Sequence, residues 1–99
     1  MSTGYAPKIV LCVPLKDREA LEPFVEDCLR DNVVLIAVVG GGCRHIEDLI
    51  DEIVVGDGSD ESRFVVTSSH PGESVEDVVS FATTWACEDG RDGVQKVTL

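Results

Sequence analysis

Basic residues are scarce in this chain. Eight Lys and Arg stand against nineteen Asp and Glu, for a formal net charge of -11, so phosphate backbones and anionic lipid surfaces are repelled at long range. Nucleic acid and membrane are therefore excluded as partners. Long hydrophobic runs are also missing: the longest cover about seven residues, against roughly 18 for a membrane span. The opening Met1-Ser2-Thr3-Gly4-Tyr5-Ala6-Pro7-Lys8 lacks the apolar core of a signal peptide. There is no C-x-x-C pair; Cys12, Cys28, Cys43 and Cys87 are scattered, the pattern of reduced, intracellular thiols. A cytoplasmic location is the expectation.

What is present describes a folded domain. Hydrophobic residues make up 43% of the 99 residues and fall in periodic blocks, unlike those of a disordered acidic chain. That length suits a single domain over 1–99, with 1–7 as a flexible N-terminal segment. It should fold by itself or as a small oligomer.

Ile9-Val10-Leu11-Cys12-Val13, closed by Pro14, reads as a strand buried on both faces. Asp17 can cap a following helix in which Leu21, Phe24, Val25, Cys28 and Leu29 form the apolar stripe, with Pro23 bending it or marking its first turns. Asn32 ends that helix, and Val33 to Val39 is the second apolar strand. Gly40-Gly41-Gly42 then turns into a helix with Ile46, Leu49, Ile50 and Ile53 on one side, extended to Gly56 in preference to a strand at Val54-Val55. A polar loop over 57–62 precedes a third strand at Arg63-Phe64-Val65-Val66-Thr67. Ser74 with Asp77 resembles a capping box for a helix striped by Val75, Val78, Val79, Ala82 and Ala86. Glu88 to Gly93 ends that helix, and Val94 to Leu99 is a more polar strand suited to an edge. Trp85 should pack near Tyr5 or this last strand.

The order βαβαβαβ with short connections predicts a three-layer α/β/α sandwich around a four-stranded, mainly parallel sheet, Rossmann-like in its winding. The two continuous apolar runs favour strand order 3-2-1-4, with 2-1-3-4 also feasible. Ligands in such a sheet gather at the carboxyl ends of the strands. That edge collects Lys16, the turn Gly40-Gly41-Gly42, Cys43, Arg44 and His45, and Ser68, Ser69 and His70 in the loop after the third strand. The turn offers unpaired backbone N–H groups to an anion, and Lys16 and Arg44 make a local basic patch on an acidic molecule. The ligand-binding candidates are thus Gly40, Gly41, Gly42, Cys43, Arg44, Lys16, Ser69 and His70.

Complete chemical motifs are missing. The turn follows the second strand, puts His45 where a dinucleotide fingerprint needs Gly or Ala, and lacks a phosphate-loop Lys followed by Ser or Thr. Cys43 could be activated at a helix N-terminus with His45 or His70 as base, but Leu49 stands where a Cys-x5-Arg phosphatase needs Arg. Ser68, Ser69 and His70 have no nucleophile elbow and no acid tied to the histidine. Cys43, His45 and His70 do not have structural-zinc spacing, and the acidic loop from Asp57 places Ser68 where a calcium hand needs Glu. No catalytic residue, metal or cofactor is assigned. From His45 to Ser62 there are seven acids and no Lys or Arg, a negative face suited to a basic protein partner. The leading reading is a non-enzymatic protein-interaction or regulatory module. The alternative is a domain that binds a small anionic ligand, a phosphate or a nucleotide at the glycine turn.

Overall fold

A computed structural model describes residues 4–56, 58, 65–85 and 93–99. Strands β1 (Lys8–Val13), β2 (Leu35–Gly40), β3 (Val66–His70) and β4 (Val94–Thr98) alternate with helices α1 (Leu21–Arg30), α2 (Cys43–Val55) and α3 (Val75–Thr84). The sheet order is β3-β2-β1-β4 and every pairing is parallel. The two unbroken apolar runs are the two interior strands, as buried faces on both sides require, and the polar β4 lies at an edge.

Alternation along β1 and β2 sends their side chains into two cores. Ile9, Leu11, Val13, Ile36 and Val38 meet Leu21, Phe24, Val25 and Cys28 of α1 and Cys43, Ile46, Ile50 and Val54 of α2. Val10, Leu35, Ala37 and Val39 meet Val78 and Ala82 of α3 on the other face. This is the expected three-layer sandwich, with two helices on one side and α3 on the other.

Local chemistry sets the element ends. Asp17 does not cap α1 itself: its carboxylate accepts from the Glu19 N–H at 3.0 Å and caps a 3-10 turn, Arg18–Ala20, that leads into α1. Pro23 occupies the first turn, where its missing N–H costs no helical bond. Asn32, at φ 60°, reverses the chain after α1. The Gly56 N–H donates to the Glu52 carbonyl at 3.0 Å, closing α2 after Val55, so Val54 and Val55 are helical. Ser74 Oγ accepts from the Asp77 N–H at 3.1 Å and starts α3.

The third strand requires correction. Expected to close at Thr67, it runs over Val66–His70 and pairs Leu35 with Val66 through Val39 with His70. Ser68, Ser69 and His70 are therefore strand residues, not loop residues. Trp85 packs on the α3 side with Val94, while Tyr5 makes an edge-on ring contact with Phe24 in the opposite core. The N-terminal segment, expected to be flexible over 1–7, makes tertiary bonds where it is described. The Tyr5 N–H donates to Asp31 Oδ2 at 3.0 Å, the Ala6 N–H to Gln95 Oε1 at 3.0 Å, and the Val34 N–H to the Pro7 carbonyl at 2.7 Å. The Tyr5 N–H holds the Asp31 carboxyl below the usual carboxylate range. The polar loop over 57–62, Gly58 apart, the strand start at Arg63 and Phe64, and Ala86, Cys87 and Glu88 to Asp92 lie outside the described residues.

Candidate functional site

Connections leaving β1 and β2 run to the α1/α2 face, whereas the one leaving β3 runs to α3 on the opposite face. β2 and β3 are therefore adjacent strands whose carboxyl-end loops diverge, the arrangement that opens a crevice in parallel α/β sheets. The pair Val39–His70 is the last rung before that divergence, so the glycine turn begins one residue beyond it.

Each glycine of the turn has its own role. Gly40, at φ 116°, passes so close to β1 that a Cβ there would strike the Val13 carbonyl oxygen. Gly41 faces open space. Gly42, at φ 80°, is the left-handed N-cap of α2 and offers no side-chain cap to the helix. The first turn of α2 carries no acidic residue, unlike that of α3, which holds Glu76 and Asp77. The leading N–H groups of α2 thus keep their partial positive charge without a carboxylate to answer it.

A cavity of about 210 Å³ opens beside this terminus, lined by Pro14, Leu15, Arg18, Gly41, Gly42, His45 and Ile46. Of the sequence candidates, Gly41 and Gly42 line it. Arg44 and Lys16 are exposed outside it, and the Lys16 N–H donates to the Leu99 carbonyl at 2.7 Å, tying the loop after β1 to the end of β4. Cys43 is 1% exposed in the α1/α2 core and acts as a small apolar side chain. Arg18 is the cavity residue that sequence reasoning missed; it stands in the short 3-10 turn after β1, and no spacing rule connects it to the glycines.

On the other side of the turn a hydrogen-bonded relay runs along β3. Ser68 Oγ lies 2.8 Å from His70 Nε2, and His70 Nδ1 lies 2.8 Å from Glu73 Oε2. Period-two alternation puts Ser68 and His70 on the α3 face, where the Phe81 ring lies 4.7 Å from the imidazole between centroids. Ser69, between them, faces α2. His70 is buried at 7% exposure, while the Glu73 side chain remains 46% exposed. The acid that the sequence did not tie to His70 is thus Glu73, visible as a partner only once the strand extends to His70.

Cys43 and His70 belong to opposite faces of the sheet, so they form neither a nucleophile–base pair nor part of one metal site. Among the described residues no group of three His, Cys, Asp or Glu side chains is placed to hold a metal ion. None of the helices described is long and apolar enough to cross a membrane.

Fold and edge together define a small three-layer α/β domain with an all-parallel four-stranded sheet. Residues 4–98 match the family described as Domain of unknown function (DUF7684), and the chain belongs to it. No curated protein and no solved structure matches the chain.

Proposed function

We propose that this domain binds a small anionic ligand at the carboxyl edge of its sheet, against the N-terminus of α2. The observation that carries the reading is the uncapped start of a 13-residue helix opening on a cavity with Arg18 and His45 in its wall. Backbone N–H groups and the helix dipole favour negative charge at such a position. In a chain of net charge -11, a pocket walled by Arg18 and by no acidic side chain is a local exception, able to draw an anion that the rest of the surface repels.

Size narrows the ligand. The open cavity, at about 210 Å³, falls below the roughly 300–1,000 Å³ of pockets for drug-sized molecules. It suits a single phosphoryl or carboxylate group on a small body, not a dinucleotide. Titrating inorganic phosphate and small phosphorylated metabolites into the purified protein while following thermal unfolding tests this. Binding to the native state adds about 2.7 kcal/mol at a hundredfold excess over Kd. A saturable rise in Tm that disappears in Gly41→Leu, which fills the open space, and weakens in Arg18→Ala supports the reading. A flat response across these anions, or an equal response in Gly41→Leu, overturns it.

A second reading, the protein-interaction module, is favoured by a different observation. Val55 is 60% exposed and, with Asp51, Glu52 and Gly56, borders a depression of about 330 Å³ at the end of α2. An apolar spot rimmed by carboxylates suits a basic protein surface. Capture of a specific partner at low and physiological salt, lost in Val55→Glu, would favour it over the ligand site.

A further inference from the structure

We propose that Ser68 is an activated nucleophile that accepts the acyl group of a small activated ester, with His70 as its base and Glu73 as the residue that positions the base. The inference stands on the relay alone and does not require the anion site.

Hydrogen-bond logic fixes the roles. An ionised carboxylate is acceptor-only, so the 2.8 Å contact between Glu73 Oε2 and His70 Nδ1 places the imidazole proton on Nδ1. In that tautomer Nε2 carries a lone pair able to accept from the Ser68 hydroxyl, whose Oγ lies 2.8 Å away. Nucleophile, base and orienting acid are thus all within hydrogen-bond reach and in the sense acyl transfer needs. Burial of His70 under Phe81 restrains the ring, while Ser68 is half-buried on β3, an edge strand of the described sheet.

In the reaction, Ser68 Oγ forms a bond to the carbonyl carbon as its proton passes to Nε2. The tetrahedral oxyanion collapses, the bond from carbon to the alcohol oxygen breaks, and the departing oxygen takes the proton from Nε2. Water then attacks the acyl-Ser68 ester, gives a proton to Nε2, and restores the serine as the carboxylic acid leaves. The sum is ester plus water to acid plus alcohol. General-base assistance supplies roughly 10²–10⁴-fold, which suits esters with good leaving groups rather than amides.

The test is covalent labelling of the folded protein with a small alkyl fluorophosphonate, read by intact mass and peptide mapping. In that step Oγ bonds to phosphorus, fluoride leaves, and the proton goes to His70. One adduct on Ser68 is expected, abolished in Ser68→Ala, unchanged in Ser69→Ala, and slowed at least a hundredfold in His70→Gln. Because a buried His70 variant can lose the fold, the half-exposed Glu73 gives the second arm. Glu73→Gln should slow labelling about tenfold with its melting curve retained, and Glu73→Asp should restore part of the rate. Absence of an adduct on folded wild-type protein, labelling at Ser69, or a rate indifferent to Glu73→Gln overturns the proposal.

Discussion

Gly40 lies directly against the carbonyl of Val13, where β1 and β2 reach their carboxyl ends side by side, and no side-chain atom fits between them. Positive φ at Gly40 adds a backbone conformation that other residues adopt only under strain. Gly40→Ala should therefore destabilise the domain by about 3 kcal/mol or more. Gly41→Ala, facing open space, should stay within about 0.5 kcal/mol of the wild type. Urea unfolding of the two variants checks the contrast, and equal costs would refute this division of labour within the turn.

The Tyr5 N–H and Asp31 should leave a mark on acid stability. The Asp31 carboxyl is held below its ordinary value of 3.8, chiefly by that backbone hydrogen bond and further by Arg30. A depressed folded-state value means that the contribution is present above the unfolded pKa and is lost as pH falls through the folded one. Stability should decline on acidification from just above pH 3.8 downward, and Asp31→Asn should flatten that part of the curve. Melting temperatures of both proteins across the acid range provide the measurement.

Thiol reactivity should follow burial. Burial, with Asp31 and Asp27 nearby, pushes the Cys28 thiol from 9.0 up to about 12, a rise that removes roughly a thousandfold of its thiolate near neutral pH. Cys43 is enclosed at 1% exposure, whereas Cys12 is half-buried. Alkylation of native protein should reach Cys12 first among these three, with Cys28 and Cys43 reacting only on unfolding. Because burial disfavours the Cys28 thiolate, the fold keeps its full stability below pH 9.0 and loses it as pH rises from there through about 12. Peptide mapping after timed alkylation tests the order, and rapid native labelling of Cys43 would contradict it.

Ser74 supplies the described side-chain cap of α3. Ser74→Ala should cost about 1 kcal/mol, while Ser74→Asp should keep most of the cap. Chemical denaturation of both variants distinguishes loss of the hydrogen bond from a general effect of substitution.

Much of this architecture was legible from apolar patterning. The apolar runs Ile9 to Val13 and Val33 to Val39 favoured two interior strands, and with three right-handed crossovers the observed order over 2-1-3-4, although β2 itself spans Leu35–Gly40. Strand β3 was misplaced for a physical reason. Arg63 to Thr67 has the better β-forming composition, but register is decided by pairing with β2, which recruits Ser68, Ser69 and His70 into the sheet. That shift concealed the relay, since Ser68 and His70 share a face only if both are in the strand. Lys16, Arg44 and Arg18 are equally basic in the sequence, and only the three-dimensional course of the loop after β1 brings Arg18, not the other two, to the cavity wall.

The pairing of β4 with β1 has a consequence for how the molecule assembles. The strand formed by residues 94–98 lies beside the one formed by residues 8–13, so β1 becomes an interior strand only after almost the whole described chain has been made. Closing so long a loop is entropically slow. Until β4 docks, one side of Ile9 to Leu11 is an open row of backbone donors and acceptors on an apolar strand, a template for pairing with another molecule. A nascent or truncated chain lacking β4 should therefore be most prone to aggregation at β1, and docking of β4 is what protects it.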